Sequence, residues 1–66
     1  MNETVMSIRI GDLRYVFRRN DAWTITVWCE EDGREQPVLE TGSLEKALSR
    51  ILAEYIGEEV EVEFCR

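Results

Sequence analysis

The chain has 66 residues, 14 acidic and 8 basic, for a formal net charge of −6. That length makes one small domain, and a hydrophobic content of 44% supports a folded core rather than a disordered acidic tail. No apolar run exceeds three residues, which excludes a membrane-spanning helix, and the lack of histidine removes the commonest general base and metal ligand.

Met6, Ile8 and Ile10 alternate with Ser7 and Arg9, the period of a half-buried strand from about Thr4 to Ile10. Gly11-Asp12 reads as a two-residue hairpin turn. It leads into a second strand in which Leu13, Tyr15 and Phe17 alternate with Arg14, Val16 and Arg18. Such a turn sets Ile10 opposite Leu13, Ile8 opposite Tyr15 and Met6 opposite Phe17, so all six side chains share one face.

Arg19-Asn20-Asp21 reads as a three-residue loop, because asparagine and aspartate accept left-handed backbone. That loop pairs Phe17 with Trp23 and Tyr15 with Ile25. The third strand then runs from Ala22 to about Glu30, with Trp23, Ile25, Val27 and Cys29 inward and Thr24, Thr26, Trp28 and Glu30 outward. From Glu31 to Gly42 the alternation stops, and Gly33 and Pro37 punctuate what reads as a polar loop in which Val38 and Leu39 either touch the core or form a short extension.

Ser43 is a good helix N-cap, with Glu45 favoured in the first turn. Leu44, Leu48, Ile51, Leu52 and Tyr55 follow on one helical face, and Gly57 reads as the stop. The last strand, Glu59 to about Cys65, points Val60, Val62 and Phe64 to one side and Glu59, Glu61 and Glu63 to the other. The expected fold is a two-layer α+β domain in the order β-β-β-α-β, an antiparallel meander packed on one amphipathic helix with a final strand added to the sheet. Residues 1–66 form this single unit, expected to be a monomer or weak homodimer.

Cys29 falls inward and Cys65 on the glutamate side, so reduced thiols are expected rather than a disulfide. Two cysteines without histidine fall short of a closed zinc site, and neither metal nor cofactor is expected. The opening residues lack a basic stretch followed by an apolar one, so a cytoplasmic rather than secreted protein is expected.

Charge is unevenly spread along the chain. Residues 1–19 carry four arginines against Glu3 and Asp12, whereas residues 20–66 carry twelve acids against Arg34, Lys46, Arg50 and Arg66. Glu30, Glu31, Asp32, Glu35 and Glu40 crowd the polar loop, and Glu59, Glu61 and Glu63 recur about 6.5–7 Å apart along one strand face. Such an array approximates the regular anions of nucleic acid, and a basic phosphate-binding groove would attract it. If the last strand lies beside the first, Arg9 is its natural neutralising partner. Trp28, outward among acids, is a candidate apolar anchor or lies beneath the polar loop.

There is no G-x-S-x-G, Gly-rich phosphate loop or Ca²⁺-loop pattern, and carboxylates on a flat wet strand lack the desolvation that acid–base catalysis needs. No enzyme activity is expected, and the acidity argues against direct nucleic-acid binding. In size, acidity and profile the chain resembles phage-encoded anti-CRISPR proteins, on Glu30-Glu31-Asp32, Glu35, Glu40 and Glu59-x-Glu61-x-Glu63. The resemblance implies an inhibitor of a bacterial defence complex that mimics DNA before a CRISPR surveillance complex. The competing expectation is a small interaction or dimerisation module, antitoxin-like or regulatory, working through an edge strand.

Overall fold

The computed structural model describes residues 3–65. Strands β1 (Glu3–Ile10), β2 (Leu13–Arg19), β3 (Ile25–Glu31) and β4 (Arg34–Thr41) form an antiparallel meander. Helix α1 (Leu44–Ala53) carries the chain back across it, and β5 (Glu61–Phe64) pairs antiparallel with β1, giving the sheet order β4-β3-β2-β1-β5. The α+β class and the closing strand agree with the sequence reading.

The first hairpin adopts the expected register, Ile10 opposite Leu13, Ile8 opposite Tyr15 and Met6 opposite Phe17. Gly11 takes φ 60 in its turn, a conformation that glycine adopts without steric cost. Between β2 and β3 the register differs: Phe17 faces Val27, not Trp23, and Tyr15 faces Cys29. The connection runs from Asn20 to Thr24. Its backbone is tied by Asn20 N–H donating to the Thr24 carbonyl at 2.9 Å, and Asp21 Oδ1 accepts the Trp23 N–H at 2.7 Å. That bond, first among several, holds the Asp21 carboxyl below its usual range. Lengthening the loop displaces Trp23 from the expected core to 80% exposure. The register moves by four residues, an even number, so Ile25 and Val27 still point inward.

The larger departure is β4. The stretch read as a polar loop is a strand, joined to β3 by a turn in which Asp32 and Gly33 both take positive φ, 52 and 79. That pair defines the type I′ geometry whose twist suits a two-residue hairpin. A bulge at Val38 breaks the period of two, since Val27 faces Leu39 while Trp28 faces Pro37. Pro37 is tolerated because β4 is an edge.

Ser43 caps α1, its hydroxyl accepting the Lys46 N–H at 3.2 Å. The helix ends at Ala53 and gives way to turns before Gly57, which takes φ 90. Ala47 and Ile51 are buried where α1 packs across β4 and β3. Met6, Ile8, Phe17, Ile25 and Val27 form the centre of the core. Tyr55, beyond the helix, extends this cover and shares a hydrogen bond with the Tyr15 hydroxyl. Cys29 and Cys65 are free thiols, the first half-buried at the core and the second exposed.

Val62 and Phe64 lie on the helix face, opposite Ile8 and Met6. They do not complete the core: α1 packs on that face toward the opposite edge, over β4 and β3, and both stay exposed. No helix among the described residues is long and apolar enough to cross a membrane.

Candidate functional site

One helix covers one face of the sheet, and the opposite face is open. Reading across it from β4 to β5, cross-strand neighbours place Glu35, Glu30, Arg14, Arg9 and Glu61 in one row. The next row holds Pro37, Trp28, Val16, Ser7 and Glu63. With strands about 4.8 Å apart, the first row spans roughly 19 Å.

Trp28 is half-buried at the centre of this face, but it is not an open anchor. The Arg18 guanidinium lies 5.6 Å from the centre of its ring. From there Arg18 reaches Glu35 in a two-pronged ion pair, with donor–acceptor distances of 2.7 and 3.2 Å. Trp28 therefore sits under an arginine rather than under a loop, and its indole nitrogen is buried without a hydrogen-bond partner.

The expected acidic residues do not form one patch. Glu30 and Glu35 face each other across β3 and β4, with Glu31 and Asp32 at the hairpin tip. Glu40 is opposite Thr26 near the far end of β4, away from the others. Glu61 and Glu63 lie on β5, opposite Arg9 and Ser7, whereas Glu59 precedes the strand and is not part of its row. The expected neighbour relation between Arg9 and the last strand is present. Even so, Arg18–Glu35 is the one ion pair within 4 Å among the described residues. Arg14 donates to the Ser7 hydroxyl at 3.5 Å instead. Arg66, counted among the cations of the sequence, lies outside the described residues.

A different grouping emerges from the topology. Because all neighbouring strands are antiparallel, both tight turns, the end of α1 and the start of β5 meet at one end of the sheet. This turn end gathers Asp12 from the first hairpin, Glu30, Glu31, Asp32 and Glu35 from the second, and Glu54, Glu58, Glu59 and Glu61 from the helix exit. Against these nine carboxylates stand Arg9, Arg14 and Arg34, together with Arg18, whose guanidinium reaches Glu35, and Arg50 in the last turn of α1. Arg9, Ile10 and Gly11 form a shallow cleft of about 370 Å³ with Glu58, Glu59 and Glu61, which fixes the helix exit beside the first turn. The C-terminus of α1 points the same way and adds its own partial negative charge.

Asp12, Glu54 and Glu58 were not singled out by the sequence reading. The β1-β2-β3 meander alone brings Asp12 to the end where Glu30 and Glu31 lie, but Glu54 and Glu58 arrive there only because β4 is a strand that carries the chain to the far end before α1 returns. The Asp32-Gly33 dipeptide was the available signal. No three histidine, cysteine or carboxylate side chains among the described residues converge as a metal site. Compared with protein-family models, curated proteins and solved structures, the chain matches none.

Proposed function

We propose that the protein is a non-enzymatic inhibitor that docks its acidic turn end on a basic, nucleic-acid-binding surface of a bacterial protein complex. The observation that carries this reading is the concentration of charge. Nine carboxylates against five arginines leave a surplus of four negative charges, two-thirds of the whole chain's −6, gathered at one end of a sheet about 19 Å wide. A double helix presents about eleven phosphates over that distance. The turn end thus approaches nucleic acid in its number of anionic groups, while its arginines hold the net charge to about a third. Acids at a helix C-terminus oppose the helix dipole, so a fold selected for stability alone has no reason to collect Glu54, Glu58 and Glu59 there. Trp28 is held under Arg18, which leaves electrostatics as the main attraction and predicts steep salt dependence.

The resemblance to anti-CRISPR proteins makes a type I surveillance complex the first target to assay. Competition with labelled target DNA tests the idea directly. Wild-type protein displaces DNA, and D12K/E58K/E59K, which reverses three exposed acids outside the sheet ladder, loses at least tenfold in potency with an unchanged circular dichroism spectrum. Undiminished competition by that variant removes the reading. A second reading, an interaction module working through an edge strand, is favoured by the exposed apolar residues of β5.

A further inference from the structure

The two edges of the sheet are built differently. On β4, Pro37 and the Val38 bulge interrupt the ladder, devices that discourage another strand from pairing. β5 has neither. Its geometry sets which backbone groups are free. Cys65 N–H donates to the Val5 carbonyl at 3.0 Å, so the alternation of an antiparallel ladder turns Glu63 and Glu61 toward β1 as well. Val62 and Phe64 therefore direct their N–H and C=O groups away from the sheet, at the end of the strand order.

Side chains along this edge alternate with the same period. Val62 is 46% exposed and Phe64 70%, although their neighbours Ile8 and Met6 are fully buried. The apolar face of the sheet thus runs to the edge and stops uncovered. Glu61 and Glu63 occupy the opposite face, and neither has an ion-pair partner within 4 Å among the described residues. Free backbone donors and acceptors, an uncovered apolar pair and two unpaired carboxylates coincide on four residues.

We propose that β5 takes up an extended segment of a partner protein in which basic and apolar residues alternate, adding it to the sheet as a sixth strand. Main-chain hydrogen bonds to Val62 and Phe64 supply affinity, and the alternating side chains supply selectivity. A basic residue opposite Glu61 or Glu63 forms a favourable cross-strand pair, and an apolar residue opposite Val62 or Phe64 extends the core outward. A second copy of this chain is the poorer occupant. Antiparallel self-pairing that matches the two faces sets Glu63 against Glu63, Glu61 against Glu63 or Glu61 against Glu61, placing like charges directly opposite; the one register that avoids this, Phe64 against Phe64, overlaps the two strands at a single residue. This proposal does not depend on the turn end.

The probe is a synthetic peptide, Lys-Val-Lys-Phe-Lys-Val-Lys, titrated into isotopically labelled wild-type protein and followed by nuclear magnetic resonance. The expected result is a shift of the Val62 and Phe64 amides together with slowed hydrogen exchange at both. Methylating the peptide's apolar-residue amides, which face β5, should weaken binding at least tenfold, while methylating the lysine amides should leave it nearly unchanged. E61K/E63K should weaken binding about tenfold and favour a peptide with glutamate in place of lysine. Equal binding of the two methylated peptides reduces the interaction to charge alone and overturns strand addition, without relying on any variant to fold. Shifts confined to Asp12, Glu58 and Glu59 overturn it while leaving the turn-end reading intact. Peptide-free protection of Val62 and Phe64 that grows with concentration, with a dimer by light scattering, assigns the edge to a second copy and also overturns it.

Discussion

Replacing Arg18 with alanine tests how the open face is held together. The side chain makes two contacts at once: the two-pronged pair with Glu35 and the placement over Trp28, 5.6 Å from the ring centre. Arg18 and Glu35 side chains keep 26% and 31% of their exposure, so water still screens the pair, and an exposed ion pair contributes about 0.2–1 kcal/mol. The cation–π contact adds about 0.5–1 kcal/mol at a partly wet site, and the loss of the arginine stem uncovers part of the indole. The expected loss is therefore roughly 1–2 kcal/mol, which for a domain of this size lowers Tm by about 4–15 °C. Thermal melts of R18A, E35A and the double variant separate the terms. Coupling between the two sites should be about 0.5–1 kcal/mol, with the remainder of the R18A loss surviving in the E35A background. Arg18→Lys keeps the charge but not the fork and should recover less than half. A Trp23→Phe background leaves Trp28 as the only indole, and R18A should then shift its emission to the red. A melting point within 1 °C of wild type, with unchanged emission, would refute the assignment of Arg18 as the cover of Trp28.

Three further outcomes follow from single positions. Gly33→Ala puts a Cβ at φ 79 where no atom lies within 4 Å, so the cost is backbone strain alone, about 1–2 kcal/mol by chemical denaturation. Trp23→Ala should change stability by less than about 0.5 kcal/mol, because the ring is exposed; a loss of several kcal/mol would return Trp23 to the core. Burial, and then the hydrogen bond with Tyr55, raise the Tyr15 phenol well above its ordinary value near 10. A raised folded-state value means that this contribution is complete below pH 10 and declines as pH rises beyond it. Ultraviolet titration should find Tyr15 un-ionised until the domain begins to unfold.

The elements legible in the sequence were those with one wet and one dry face. Met6, Ile8 and Ile10 against Leu13, Tyr15 and Phe17 specified a register that the first hairpin adopts, because a one-residue slip would turn the three apolar side chains of one strand to water. Ser43 and the apolar stripe behind it marked α1 for a similar reason. β4 escaped because an edge strand contacts neighbours on one side only, and its Val38 bulge and Pro37 erase the alternation that identifies a strand. Trp23 misled because bulk is not burial: Asp21 and Asn20 build a turn that carries the ring outside the sheet. For the site, the sequence revealed the excess of acid but not its location. Reading charge by chain halves set the arginines of the first hairpin against the acids of the rest. The antiparallel sheet instead divides charge by its two ends, so Arg9 and Arg14 share the acidic end, Arg19 lies toward the other, and Arg18, rooted beside Arg19, reaches back to Glu35.

This division has a consequence for stability that does not require a partner. In water a like-charged pair 10 Å apart repels by about 0.4 kcal/mol, and the surplus at the turn end leaves on the order of half a dozen such uncompensated pairs. Unfolding spreads the same charges along a longer chain, so only part of that repulsion opposes folding, roughly 1–2 kcal/mol at low ionic strength. The Debye length falls from about 30 Å at 0.01 M salt to about 3 Å at 1 M, from longer than the turn end to shorter than its charge spacing. Sodium chloride should therefore raise Tm across that range, even though it weakens the Arg18–Glu35 pair, because one screened attraction is outweighed by many screened repulsions. E58K/E59K, which brings the nine acids to seven and the five cations to seven, should gain stability in low salt and lose most of the salt response. A wild-type melting point that is flat or falls with salt would mean that the turn-end acids are compensated within the fold, leaving no unbalanced charge with which to capture a basic groove.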